Sequence, residues 1–503
     1  MPSPLTDRLP VPDTSDELRR RVRGGLGWSL INSVAARALT LVVGLVMARL
    51  LTPEHFGVFA IGLVALNVLQ SMNELGVSVA IVRWQGDPSR ASHTAVTLSV
   101  VSSGLVFAGL FLAAPWVATS LQAPEAMTVL RILSMSVILD GISSIPNALL
   151  TRGFLQGRRA VADLTASAVS ATLGIGLASA GYGALSLAWS GVAGNLCATV
   201  LILALAPRRP RPGWNRADAR QLIRFGLPLA GASFLLLTVT NVDNLVVGRI
   251  LGPTALGFYV LAYNLSSWPP NLLSMAIRRV AIPGFARLVD QPEELERAFA
   301  RSLGMVVRLV LLGTVLLATL AEPVIGTLYG QRWLTAVGVV RWLAVIGTVR
   351  VAVGLCYDVL LALGRSRSLL WLQAAWLASL VPAVAIGAHL GGIRGAAMAQ
   401  VAVALVIVAP AYVVVLDRAG ISARATLGSL VRPLLAGCAA VVTALIGLSL
   451  LDSTIAQLTV GAGAVCVSFL AIAFPLRSTL GSATSWLAAR RPRALQPVPE
   501  RAG

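Results

Sequence analysis

From Leu26 onward the chain is written in long apolar runs separated by short polar gaps. A helix needs about 20 apolar residues to cross the hydrocarbon core of a bilayer. By that measure fourteen runs qualify: 26–50, 56–82, 94–119, 127–151, 161–181, 183–206, 221–250, 255–277, 303–320, 336–363, 369–390, 393–416, 430–450 and 456–476. The gaps carry turn chemistry: Thr52-Pro53, Asp87-Pro88, Ala123-Pro124, Gly181-Tyr182-Gly183, Gly252-Pro253 and Gly391-Gly392. Proline removes a helical donor and glycine admits left-handed backbone, so these pairs end helices. The pattern predicts an all-α polytopic membrane protein with about 14 transmembrane helices. Residues 1–25 are polar and carry five arginines, without the apolar core of a cleaved signal peptide. Thr14 and Glu17 have capping-box spacing at the start of DELRRRVR, which predicts a short helix on the membrane surface.

Composition agrees. The chain is 56% hydrophobic and 12% charged, with a mean hydropathy of +0.80, whereas soluble domains carry about 25% charged residues. The net charge is +19 and all 40 basic residues are arginine. These arginines stand in the gaps rather than among aromatics on a polar module, so no nucleic-acid partner is expected. With the N-terminus inside, 31 of them fall in inner segments and six at outer borders: Arg49, Arg131, Arg249, Arg332, Arg341 and Arg394. Arg37, Arg308 and Arg350 lie deeper in apolar runs. This is the positive-inside distribution, and it predicts a multi-pass membrane protein with both termini cytoplasmic; the Arg, Ala, Gly and Val bias suggests a GC-rich bacterial genome, hence the bacterial cytoplasmic membrane. The absence of lysine excludes a Walker A ATPase, a lysine Schiff base and a Ser-x-x-Lys nucleophile. The four cysteines lie in apolar runs without a C-x-x-C pair, and the three histidines are far apart, so neither a metal nor a cofactor is expected. The outer gaps are all short, which argues against a membrane enzyme with a large external loop for sugar chemistry.

A phrase recurs. Residues 47–57 read MARLLTPEHFG and residues 247–257 read VGRILGPTALG, aligning Arg49 with Arg249, Leu51 with Leu251, Pro53 with Pro253 and Gly57 with Gly257. Six predicted spans separate the copies, so both face the same side, as in a parallel repeat. The Pro- and Arg-rich stretch 207–220 divides the first twelve spans into halves. The predicted organisation is a cytoplasmic segment (1–25), an N-lobe (26–206), a cytoplasmic linker (207–220), a C-lobe (221–416), two further spans (430–476) and a cytoplasmic tail (477–503). Residues 278–302 form a second long inner loop whose PEELERAFARSL predicts an amphipathic helix.

Charges inside spans cost several kcal/mol and are functional candidates for that reason. Arg37 sits mid-span; Asn73 and Glu74 lie deep in the second run; Asn241, Asp243 and Asn244 interrupt the seventh; Asp140 and Asp358 are further buried acids. Two readings stand for each. Arg37 and Glu74 form an interhelical ion pair, or Arg37 meets an anionic cargo in a wet cavity. Asp243, Asn244 and Asp358 hydrogen-bond across helices, or accept a coupling Na⁺ or H⁺. Arg49 and Arg249 snorkel at helix ends, or line the rim of a cavity. Arg278 and Arg279 only set topology, or contact a lipid phosphate.

The stretch GWSLINSVAARALTLVVGLVMARLLTPEHFGVFAI followed by NELGVSVAIVR, and the later LGPTALGFYVLAYNLSSWPPNLLSMAIRRVAIPGFARL, resemble the polysaccharide-transporter branch of the multidrug/oligosaccharidyl-lipid/polysaccharide (MOP) exporter superfamily, the Wzx-like flippases, over residues 20–480. The resemblance implies two six-helix lobes facing a central cavity, plus two extra helices. It implies a polyprenyl-diphosphate-linked oligosaccharide as cargo, carried to the outer leaflet by alternating access for cell-surface polysaccharide assembly, with a polysaccharide polymerase and glycosyltransferases as partners. Arg37, and Arg49 beside it, match by position the first-span arginines that related lipid II flippases place in the cavity. A cation-coupled drug exporter of the same superfamily and a lipid II-type flippase are the alternatives. The first would favour an acid-rich cavity, and the second a more charged first hairpin than this chain has.

Overall fold

In the computed structural model, residues 39–473 are described apart from 74–76, 83, 85–87, 154, 208–210, 272–283, 286, 451–452 and 454–455. Among the described residues there is no strand. The helices are α1 (Leu39–Leu50), α2 (Pro53–Asn73), α3 (Val77–Val82), α4 (Pro88–Ser120), α5 (Ala126–Arg152), α6 (Gln156–Ser179) and α7 (Ala184–Leu205). They are followed by α8 (Arg216–Ser266), α9 (Pro292–Thr319), α10 (Val337–Ala362), α11 (Ser366–Val403), α12 (Ala409–Arg418), α13 (Ala423–Ser449) and α14 (Ala462–Ala473). Nine helices among the described residues are long and apolar enough to cross a membrane. The amphipathic PEELERAFARSL is the first part of α9 and runs straight into the apolar remainder.

The helices break where the turn chemistry predicts. Pro53 and Pro88 each open a helix. Gly181 (φ 87°) and Gly183 (φ 54°) turn the α6–α7 hairpin. Two long helices are each a pair of arms. Gly252 (φ 82°, ψ 178°) bends α8, and Gly391 with Gly392 (φ 58°) folds α11 back on itself. The α11 arms close on each other through Gly387 and Gly395, where a Cβ on either would overlap the other's carbonyl.

One face of α4 presents Val101, Leu105, Leu112 and Trp116 outward; Leu112 is 77% exposed. An apolar stripe of that kind belongs against lipid. Lipid gives helices no hydrophobic reason to associate, so close packing and polar contacts must hold them. The α4–α5 contact shows this. Ser99 Oγ donates to the Gly141 carbonyl at 3.0 Å and meets Ser144 Oγ at 2.7 Å, with Gly141 seated against Ser103. Contacts divide the chain into two compact units. The first comprises Met1–Tyr263, Ile325–Val339 and Leu377–Gln400. The second comprises Asn264–Val324, Val340–Trp376 and Val401–Gly503; within it Thr314 Oγ1 meets Thr348 Oγ1 at 2.6 Å and Gly304 rests on the Ser429 carbonyl.

Candidate functional site

Both copies of the repeated phrase lie in the first unit, and they meet. Gly57 is in the first turns of α2, and Gly257 occupies the same place after the Gly252 bend. A Cβ on Gly57 would overlap the Pro253 carbonyl, and a Cβ on Gly257 would overlap the Pro53 carbonyl and come within 3.1 Å of the Gly57 nitrogen. The contact is therefore reciprocal: each copy's glycine takes the other copy's proline carbonyl. No side chain fits there.

A short strap covers this corner. It consists of a π-helical turn, Ile325–Tyr329, and a 3₁₀ turn, Gln331–Ala336, joined at Gly330 (φ 100°). Trp333 is fully buried between the copies, edge-on to Phe56 (5.3 Å, 84°) and to Phe258 (5.8 Å, 83°). The last carbonyls of a helix have no partner within it. Here the strap supplies them: Trp333 Nε1 donates to the Ala48 carbonyl at 2.9 Å, and Arg332 donates to the Leu51 carbonyl at 3.3 Å. Arg49 returns the contact, its Nε donating to the Leu328 carbonyl at 2.7 Å and its Nη2 to the Thr327 carbonyl. Burial raises the Tyr329 hydroxyl above its usual pKa. Arg249 is exposed and makes no hydrogen bond or ion pair among the described residues.

Asp243 is 1% exposed in the first unit. Its Oδ2 accepts from Tyr259 Oη at 3.2 Å and Gln400 Nε2 at 2.5 Å; its Oδ1 accepts from the Asn244 backbone N–H at 3.0 Å. Gln400 also donates to Tyr259 Oη at 2.7 Å. Three donors satisfy this buried carboxyl group, with no basic side chain bonded to it among the described residues. The neighbouring Asn244 Oδ1 is buried without a hydrogen-bond partner among the described residues. A second clamp surrounds Asp140 on α5, which accepts from Gln70 on α2 and from Asn195 on α7 at 2.9 Å. Asp358 is buried on α10 and belongs to the second unit. Arg37, Glu74, Arg278 and Arg279 lie outside the described residues. Among the described residues, no three His, Cys, Asp or Glu side chains gather as a metal would require.

Five participants escape the sequence reading: Trp333, Tyr259, Gln400, Gln70 and Asn195. Gln400 left a usable signal, a lone amide in AAMAQVAVALVIV. Trp333 left none, since one more aromatic in an apolar chain follows no period.

Membrane-length helices joined by polar clamps and glycine contacts define a polytopic helical membrane protein. Its fold is that of two solved transporters. A lipid II flippase, MurJ, in an inward closed conformation matches with a TM-score of 0.71, covering 90% of this chain and 99% of that one at 13% identity. An inward-facing multidrug resistance MATE family transporter of the MOP superfamily matches with a TM-score of 0.60, over 76% and 94% of the two chains at 18% identity. A family model described as "Polysaccharide biosynthesis protein" matches residues 46–338, so the chain belongs to that family. The succinoglycan biosynthesis transport protein ExoT of Rhizobium meliloti (strain 1021) is 27% identical over 371 residues, 73% of this chain and 75% of ExoT. The lipopolysaccharide biosynthesis protein WzxC of Escherichia coli (strain K12) is 26% identical over 388 residues, 75% and 77% of the two chains.

Proposed function

We propose that this protein is a flippase that moves a polyprenyl-diphosphate-linked oligosaccharide from the inner to the outer leaflet of the bacterial cytoplasmic membrane, for cell-surface polysaccharide assembly. In this reading both termini are cytoplasmic, and two six-helix lobes with two further helices make up fourteen spans. Membership of the polysaccharide biosynthesis family and the likeness to ExoT and WzxC support the class of cargo. The observation that carries the mechanism is the reciprocal corner. Two copies of one phrase, closed on each other by backbone contact and fastened by a strap, are a seal that can part along its own line of symmetry. The corner closes the outer end of the path while the inner end admits the diphosphate, and it parts when the lobes rock.

The prenyl tail stays in lipid while arginine receives the diphosphate, since a guanidinium binds phosphate bidentately and stays charged. Arg37 is the proposed contact, and Arg278 and Arg279 the proposed approach from the inner surface. Moving two negative charges out of a negative interior gains about 4–5 kcal/mol per 100 mV, so the potential alone can drive the cycle. The lone Asn244 Oδ1 beside Asp243 supports a second reading in which Na⁺ or H⁺ binding there is coupled to transport. The test is flipping of a fluorescent polyprenyl-diphosphate oligosaccharide in proteoliposomes. Arg37→Ala is expected to slow it at least tenfold, and a wild-type rate would remove Arg37 from the mechanism. A rate indifferent to Na⁺ and pH at fixed potential would remove coupling through Asp243.

A further inference from the structure

A basic row at the start of α8 takes no part in the corner or the clamps. Arg216, Arg220 and Arg224 are all exposed, and none makes a hydrogen bond or ion pair among the described residues. Spaced four apart, they share one helix face, about one turn (roughly 6 Å) from each to the next. Ile223 and Leu227 fall on the same stripe, and both are exposed. Beside the row is a groove of about 550 Å³ lined by Trp214, Arg216, Ala219, Arg220, Ile223 and Arg224. Trp214 at its mouth is 61% exposed.

This surface is held firmly in place. Asn215 Oδ1 caps α8, accepting from the backbone N–H of Ala217 at 2.9 Å and of Asp218 at 3.3 Å. The segment before it is stitched to α4. Gly213 N–H donates to Thr97 Oγ1 at 3.0 Å, Thr97 Oγ1 donates to the Gly213 carbonyl at 2.8 Å, and Asn215 N–H donates to Thr94 Oγ1 at 3.1 Å. His93 Nδ1 donates to the Arg211 carbonyl at 2.6 Å. Asp218, the acidic residue of this first turn, projects about 200° around the helix from Arg216 and so leaves the row unneutralised.

Length sets the depth. The first arm of α8, residues 216–251, is about 54 Å long at 1.5 Å per residue, well beyond the roughly 30 Å hydrocarbon core. The excess of about 24 Å puts its first turns outside the hydrocarbon core, on the side where an exposed tryptophan and a row of arginines meet headgroups.

We infer that the Trp214–Arg224 groove is a binding site for an anionic phospholipid. The row of guanidinium groups takes the headgroup phosphate while Ile223 and Leu227 lie along the acyl chains. The site is independent of the cargo, so its failure would leave the flippase reading untouched. The test is native mass spectrometry of the delipidated full chain, titrated with phosphatidylglycerol and with phosphatidylcholine of the same acyl chains. The wild type is expected to retain phosphatidylglycerol about tenfold better, as electrostatic attraction of several arginines allows. The triple variant Arg216→Gln/Arg220→Gln/Arg224→Gln is expected to lose that preference, and the triple lysine variant to keep most of it. Should the triple variant not fold, Arg220→Gln and Trp214→Ala singly are each expected to reduce retention about threefold. An unchanged preference in the glutamine variants would overturn the proposal. So would displacement of phosphatidylglycerol by millimolar inorganic phosphate, which would mark a phosphate site. Displacement by a polyprenyl diphosphate at far lower concentration would likewise overturn it, and would mark a cargo site.

Discussion

The two copies of Arg-x-Leu-x-Pro-x-x-x-Gly agree in backbone and disagree in charge. Their glycines and prolines make the same contact in both directions, Gly57 on Pro253 and Gly257 on Pro53. Their arginines do not match: Arg49 ties the strap to the corner through two backbone carbonyls, while Arg249 is exposed and makes no such bond. The difference lies in the strap, which stands once among the described residues. Trp333 touches Phe56 in the first copy and Phe258 directly after the second, but Arg332 and Trp333 donate only to carbonyls at the end of α1. A duplicated backbone device has thus acquired one fastening on one side. The reciprocal half resists any side chain, whereas the fastening half is built from bonds that can be made and broken within a transport cycle.

The largest effect is expected at Trp333, which packs on Phe56 and Phe258. Trp333→Ala removes two edge-on aromatic contacts and the bond to the Ala48 carbonyl, and is expected to cost about 3–5 kcal/mol of corner stability, as for other buried tryptophans. The readout is thiol accessibility of Phe56→Cys in the Trp333→Ala background, which should rise strongly. Next comes the symmetric half. Gly57→Ala and Gly257→Ala each force a methyl onto a backbone carbonyl, an overpacking cost of about 1–3 kcal/mol. The two are expected to lower the melting temperature equally, and unequal shifts would show that the reciprocity is only apparent. The asymmetric half gives the smallest effects. Arg49→Ala loses two charge-assisted bonds at an exposed site, about 1–2 kcal/mol, whereas Arg249→Ala is expected to stay within about 0.5 kcal/mol. Equal losses on thermal unfolding would end the claim that the fastening is one-sided.

How far the sequence foretold this depends on the range of each interaction. The bends at Gly252-Pro253, Gly181-Tyr182-Gly183 and Gly391-Gly392 were legible because turn chemistry is a property of two or three adjacent residues. The repeat was legible as a repeat. That its copies would lie against each other was not, because nothing within residues 47–57 or 247–257 records what their glycines pack on. Asp243 was legible as a buried acid, yet its reading as a hydrogen-bonded group or an ion site turned on Tyr259 and Gln400, the latter 157 positions away. Arg49 carried both readings, anchor and rim. The structure adds a third use, the strap fastening, which required Thr327 and Leu328 to be placed beside it.

In the proposed mechanism the corner where the two copies meet opens in every transport cycle. The most direct measurement locks it. In a background without the four native cysteines, Phe56→Cys and Phe258→Cys, the positions either side of Trp333, are joined after reconstitution by a short bis-methanethiosulfonate, which forms two disulfides with loss of sulfinate and is cleaved by a reductant. Flipping of a polyprenyl-diphosphate oligosaccharide is followed before linkage, after it, and after cleavage. Linkage is expected to slow flipping at least tenfold, and cleavage to restore it fully. Transport that continues unchanged through a linked corner would contradict the mechanism.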